Sequence, residues 1–203
     1  MRRLKNYMEV RKGDFPLIIS APHGGFLEVE KIPKRRRGIL GVDKNTISLA
    51  KTLIKRIEAR SQLSNNEKII PSYVIAKIKR SKIDLNRPKN RAYVEDSRLA
   101  RRIYKRYHKT LRRIIKKNIK KFGYSLLLDV HGFEKGKRPK GFRNVELVLG
   151  TNNLSSLYSE HPPKKDWDKN IRGKLIQKFL KLNVPIAPGL PKRREYVLTG
   201  GYI

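Results

Sequence analysis

Short apolar runs alternate with amphipathic stretches along this chain. In "PLIISAPHGG" the run from Leu17 to Ile19 breaks at Pro22 and two glycines, which predicts a buried strand ending in a tight loop. A basic loop, "KIPKRRRG", follows. "DKNTISLAKTLIKRIEAR" then places Ile47, Ala50, Ile54 and Ile57 on one helical face. Asp43 stands at the start of that helix, where an N-cap or a dipole-stabilised carboxylate belongs. "PSYVIAKI" predicts a second strand over 73–78, leading directly into "DLNRP". Leu99, Ile103, Tyr107, Leu111 and Ile114 mark the stripe of a long helix over about 94–121, and Gly123 is its stop. "YSLLLDVHGF" predicts a fully buried strand running into Asp129, His131 and Gly132, and "NVELVLG" another strand. After the polar loop "TNNLSSLYSEHPPKKD", a helix over roughly 168–182 is expected to turn Ile171, Leu175, Ile176 and Phe179 inward. "NVPIAPGLPKRREY" holds too much proline to be regular throughout.

Strands alternating with helices predict an α/β fold with a mostly parallel or mixed sheet flanked by helices. The 203 residues suffice for one domain spanning 1–203, and no internal repeat or low-complexity linker divides them. In such sheets ligands sit beyond the carboxyl ends of the strands. Three notable stretches fall at such ends: His23, the group from Asp84 to Arg87, and the pair Asp129 and His131.

Composition narrows the chemistry. The absence of cysteine excludes disulfides and thiolate metal sites, leaves His and carboxylate as metal ligands, and fits a reducing cytoplasm. The formal net charge of +33 attracts phosphate backbones and other anions, although Lys and Arg are spread along the whole chain. High Lys, Arg and Glu without Cys is also a composition of proteins from hot-living organisms. The basic helix over 94–121 reads first as a solvated face and second as a nucleic-acid groove. No run approaches the ~18 apolar residues of a membrane span, and the basic start lacks the apolar segment of a secretory signal.

Of the four histidines, His23 and His131 each follow an apolar strand and precede a glycine, whereas His108 lies mid-helix beside the apolar stripe and His161 precedes two prolines. Two imidazoles and one carboxylate form an open hydrolytic zinc site, which would lower the pKa of a bound water to about 7 and polarise a carbonyl. A hydrogen-bonded structural role is the competing reading of each histidine taken alone. Glu28, Glu30 and Asp43 all remain open as the acidic ligand. In "SKIDLNRPKN", Arg87 suits a substrate carboxylate bidentately and Asn86 could add amide hydrogen bonds. Asp84 reads as their brace, or as one partner of a strand-end salt bridge.

"PLIISAPHGG", "DKNTISLAKTL", "RSKIDLNRP", "YHKTL", "LLLDVHGF", "ELVLGTNN" and "GGYI" occur in the order of the N-formylglutamate amidohydrolase family, and the resemblance spans 16–203. It implies a zinc-carboxypeptidase-like and aspartoacylase-like mixed sheet, one catalytic zinc, and hydrolysis of the amide bond of a small anionic N-acyl amino acid. His23 and His131 match the family's histidine ligands. Asp43, with Leu49 six residues on, matches its acid and is thereby preferred to Glu28 as third ligand. Arg80, Asn86 and Arg87 match positions around the substrate carboxylate. The family's general base is a glutamate in a strand after "GGYI". No glutamate follows Ile203, and Glu195 precedes that motif. The general base is therefore unassigned, and either the sequence is a fragment or the base is lacking. The alternative is a catalytically impaired, strongly basic protein that binds nucleic acid or another polyanion on the same scaffold.

Overall fold

The computed structural model describes residues 6–63, 69–133, 144–196 and 198–200. The chain divides into two compact units, residues 1–132 and 133–203.

The first unit is built on a four-stranded sheet. Strands β1 (Met8–Arg11), β2 (Leu17–Ala21), β3 (Ser72–Ala76) and β4 (Leu126–Asp129) lie in the order β1-β3-β2-β4. β2 runs parallel to both β3 and β4, with Ile19 opposite Tyr73 on one side and Leu128 on the other. β1 is antiparallel to β3. The sheet is thus mixed and mostly parallel, as the alternation of elements predicts.

Period two divides the strand side chains between two faces. Ile19, Ala21 and Ile75 meet Ala50 and Ile54 of helix α1 (Thr46–Leu63), with Ile47 and Ile57 packed around them. Ile18, Ser20 and Val74 point to the other face and are fully buried. Helix α3 (Arg98–Phe122) packs against β3 through a stripe that includes Ile103, Tyr107, Leu111 and Ile114. Ser97 caps α3 by accepting the N–H of Ala100, and Gly123 ends it at φ 80°, donating to the Ile119 carbonyl over 2.9 Å. The long helix predicted from residue 94 therefore starts later, after the separate turn α2 (Lys89–Ala92).

Two expectations about burial fail. Among the described residues β4 pairs on one side only; its residues are half-buried and Leu128 is 38% exposed, so the run "SLLLDV" is not the fully buried strand expected. In the second unit, β5 (Leu147–Val148) pairs in parallel with β6 (Ile186–Ala187), and helix α4 (Ile171–Lys181) packs against β6. α4 buries Arg172, Gly173 and Ile176, while Ile171 and Leu175 are exposed at 43% and 40%. A Cβ at Gly173 would lie 2.4 Å from the Trp167 carbonyl oxygen, so the helix turns its glycine toward that backbone and carries Arg172 inward with it. The segment "GYI" at 201–203 lies outside the described residues.

Ile19 is completely buried at the centre of the α1 face. Ile19→Ala is expected to lower stability by about 2–5 kcal/mol in urea denaturation. Leu49→Ala, at a position 56% exposed on α1, is expected to stay within about 0.5 kcal/mol of the unsubstituted protein.

Candidate metal centre

Because β2 is parallel to β3 and β4, their carboxyl ends gather along one edge of the sheet. β2 ends at Ala21 and β4 at Asp129, so His23 and His131 each lie two residues beyond a strand end. Their ring centroids are 5.0 Å apart. The chain after His23 passes very close to the start of α1: a Cβ at Gly24 would lie 2.4 Å from Thr46 Oγ1. Glycine is what permits that approach.

Asp43 completes the group. Its backbone N–H donates to the His23 carbonyl over 3.0 Å, and its own carbonyl accepts Thr46 Oγ1–H at 2.8 Å. The carboxylate does not cap α1, as its sequence position suggested. It points instead to the strand ends, where Oδ1 accepts Arg80 Nη1 at 3.1 Å and Oδ2 accepts the Gly132 N–H at 3.2 Å. Oδ2 also lies 3.1 Å from His131 Nδ1 and 3.6 Å from His23 Nδ1. The ligand atoms of His23, Asp43 and His131 all fall within 4.8 Å of one another.

Asp84 stands behind His23. Its Oδ1 is 2.8 Å from His23 Nε2 and accepts the Asn86 N–H at 3.0 Å, while Oδ2 accepts Arg80 Nε at 3.1 Å. Arg35 Nη1 lies 3.6 Å from the same Oδ2. A carboxylate at Nε2 holds the ring proton there, which leaves Nδ1 with its lone pair. His23 Nδ1 is fully buried and has no hydrogen-bond partner among the described residues. Asp129 stands behind His131 in the same way. Its Oδ2 is 2.7 Å from His131 Nε2, and its Oδ1 accepts the Ser20 hydroxyl.

A tetrahedral ion with bonds of about 2.0–2.1 Å sets its ligand atoms about 3.3 Å apart. The separations of 3.1 and 3.6 Å about Asp43 Oδ2 bracket that value, and the buried, unpartnered His23 nitrogen is a ligand atom in waiting. These three residues therefore fit a divalent cation.

The electrostatics follow from burial and pairing. Burial opposes ionisation of Asp43, but hydrogen bonds from His131 and the Gly132 N–H, with the His23 ring beside it, hold its carboxyl well below the usual range. Burial also opposes ionisation of Asp84, and His23 and Arg80 overcome it. For His131, burial disfavours the imidazolium, but hydrogen bonds to Asp129 and Asp43 push its pKa up to about 9.

Other predicted residues can be located. Arg80 is buried at 6% exposure between the two carboxylates it serves. The Asn86 amide nitrogen is 3.1 Å from His131 Nε2, placing Asn86 beside the centre. Arg87 is half-buried in the same turn, its Nη1 donating to the Asn86 carbonyl at 2.8 Å. Asp84, Asn86 and Arg87 thus occupy a turn and not a continuing strand. Glu28 pairs with Lys79 and Lys82 and stands outside the histidine pair. His108 packs on Tyr104, ring centroids 4.3 Å apart, and His161 is exposed.

Sequence reasoning missed Arg35 and the backing role of Asp129. Nothing singles out Arg35 within "KRRRG". Asp129 had a signal: it precedes His131 by two, which in extended chain puts both side chains on one face.

No protein-family description matches the sequence, and no curated protein does. Among solved structures, the crystal structure of N-formylglutamate amidohydrolase from Ralstonia eutropha JMP134 is similar. It is 16% identical, with 89% of this chain and 75% of that chain covered at a TM-score of 0.56. The family resemblance therefore holds at the level of the fold. No helix among the described residues is long and apolar enough to cross a membrane.

The His131 shift makes a signed prediction for protein stripped of metal. A pKa raised on folding contributes stability that is fully present below the unfolded value of about 6.5. That contribution is lost as pH rises through about 9. With chelator present, the urea midpoint is expected to fall between pH 6.5 and 9.5, and His131→Gln to flatten that fall. Parallel curves for the two proteins would contradict the assignment.

Proposed function

We propose that this chain is a zinc-dependent amidohydrolase acting on the amide bond of an N-acyl amino acid. The observation that carries it is the meeting of His23, Asp43 and His131 around a buried, unpartnered imidazole nitrogen at the strand ends. Two nitrogens and one oxygen suit zinc and leave a coordination position open. A bound zinc would polarise the amide carbonyl and lower the pKa of water to about 7. The fold shared with a protein named N-formylglutamate amidohydrolase makes N-formylglutamate the first substrate to test.

The protein's own groups then have distinct tasks. Asp84 keeps the His23 proton on Nε2, and Asp129 orients His131 from the opposite side of its ring. Asn86 and Arg87 are assigned to the substrate carboxylate, Arg87 through the fork of its guanidinium. Arg80 is assigned a supporting charge, its Nε and Nη1 being engaged with Asp84 and Asp43. The general base has no assignment.

Purified protein reconstituted with zinc is expected to hold about one equivalent by mass spectrometry. His131→Ala should hold none above background. Asp84→Asn should bind zinc about 10–100-fold more weakly, the usual cost of losing the group that orients a histidine ligand. Zinc absent from the unsubstituted protein would reject the metal centre.

Release of glutamate from N-formylglutamate, with other N-formyl and N-acetyl amino acids tested alongside, checks the reaction. Arg87→Ala is expected to raise KM at least about tenfold while changing kcat less, as loss of a charged hydrogen bond to the ground-state carboxylate requires. Stoichiometric zinc with no hydrolysis of any N-acyl amino acid would reject the enzyme reading.

A further inference from the structure

The run "PKRREY", residues 191–196, takes no part in the metal centre. It forms one wall of a cleft in the second unit of about 440 Å³, lined by Lys164, Lys192, Arg193, Arg194 and Tyr196. That volume lies within the about 300–1,000 Å³ of ligand sites. Four of the five lining side chains are cations, and none is an acid.

Buried groups hold both walls. Arg172, 1% exposed, donates from Nη1 to the Pro191 carbonyl at 2.9 Å and from Nη2 to the Arg193 carbonyl at 2.6 Å. Its guanidinium also lies 5.7 Å from the ring of buried Trp167. Trp167 Nε1–H donates to the Pro162 carbonyl at 3.0 Å, closing the turn that carries Lys164. Further along, the Glu195 N–H donates to Asn153 Oδ1 at 2.8 Å, and Asn153 Nδ2 donates back to the Glu195 carbonyl at 3.1 Å. The backbone is thus tied on both sides of Arg194.

The acid within the run is withdrawn. Glu195 is buried at 5% exposure, and its charge acts on Arg172. Lys192, Arg193 and Arg194 remain exposed, and Tyr196 is 79% exposed. Asp168 at the rim lies 3.6 Å from Lys192 Nζ, and Asp166 pairs with Lys169.

We propose that this cleft binds single-stranded nucleic acid, with Lys164, Lys192, Arg193 and Arg194 on the phosphates and Tyr196 stacked on a base. Cations alone would suit any polyanion. The exposed ring among them selects a polyanion with free aromatic faces, which a single strand offers and a duplex does not. The site is independent of the zinc-hydrolase reading, because none of its residues belongs to the metal centre.

Fluorescence anisotropy of a labelled uridine oligomer, titrated against the full chain with chelator present and at several salt concentrations, tests this. The triple variant Lys192→Ala, Arg193→Ala, Arg194→Ala is expected to bind at least tenfold more weakly. Its slope of log affinity on log salt should be shallower by about 2, since each lost single-strand phosphate contact removes about 0.7. A control with the same charge loss on the exposed face of α3, Arg113→Ala, Lys116→Ala, Lys120→Ala, should lose less than threefold. Tyr196→Ala should lose at least fivefold with the slope unchanged, and Tyr196→Phe should retain binding. Equal losses in the two triples would reduce the effect to net charge and overturn the site. So would an unchanged Tyr196→Ala, or a duplex of equal length binding as tightly. Circular dichroism melts of each variant separate loss of binding from loss of fold.

Discussion

Burying Asp43 and Asp84 at the strand ends of the first unit is the constraint from which its site follows. A carboxylate removed from water costs several kcal/mol unless cations and hydrogen-bond donors replace the solvent. Arg80 answers both at once, Nε to Asp84 and Nη1 to Asp43, and so fixes the distance between them. A lysine could not do this, because its single ammonium lacks the fork that reaches two partners in fixed directions. With Arg80 on one side of each carboxylate, His23 occupies the space between them, Nε2 toward Asp84 and Nδ1 toward Asp43. The orientation of the imidazole is thus a consequence of where the two buried charges had to be paired.

The same constraint accounts for the balance of the cluster. Asp43, Asp84 and Asp129 face Arg35, Arg80 and His131, three acids against three groups able to carry positive charge. Among those cations only His131, an imidazole, gives up its proton at a pH well below that of a guanidinium. It is partly open to solvent, at 34% side-chain exposure, whereas His23 is fully buried. A divalent cation held by these residues would compete with the His131 proton for the region beside Asp43 Oδ2, the usual linkage of metal binding to proton release. His23 is thus the enclosed member of the pair and His131 the one open to solvent.

Much of this was legible because apolar periodicity reports strands and helices, and parallel connection brings strand ends together. His23, Asp84 and His131 announce themselves by following apolar runs. Arg35 does not, since one arginine in "KRRRG" differs from its neighbours only in the groups it meets on folding, carbonyls and the Asp84 carboxylate. The inward face of α4 was misread for a related reason. Hydrophobic period favours Ile171 and Leu175, but a charged residue is assigned outward by pattern alone, and Arg172 is inside. Its burial depends on backbone carbonyls supplied by residues 191 and 193, a pairing no local window contains. The half-buried state of β4 escaped too, because an apolar run states what a strand could bury and not how many neighbours it finds.

A net charge of +33 invites a reading of the surface as one undifferentiated basic field. The interior says otherwise. Arg35 donates to the carbonyls of Ile39, Arg37 and Arg80, and Arg172 to those of Pro191 and Arg193. Each unit uses a buried guanidinium to tie down irregular backbone, supplying donors where neither helix nor sheet can. These arginines contribute to the count of charges but not to the outer field as exposed cations do. Where such an arginine has fixed the backbone, the exposed cations it carries start from a set position, and that backbone has less freedom to lose on meeting a ligand. Position, set by buried arginine, distinguishes Lys192, Arg193 and Arg194 from an equal number of lysines and arginines along α3.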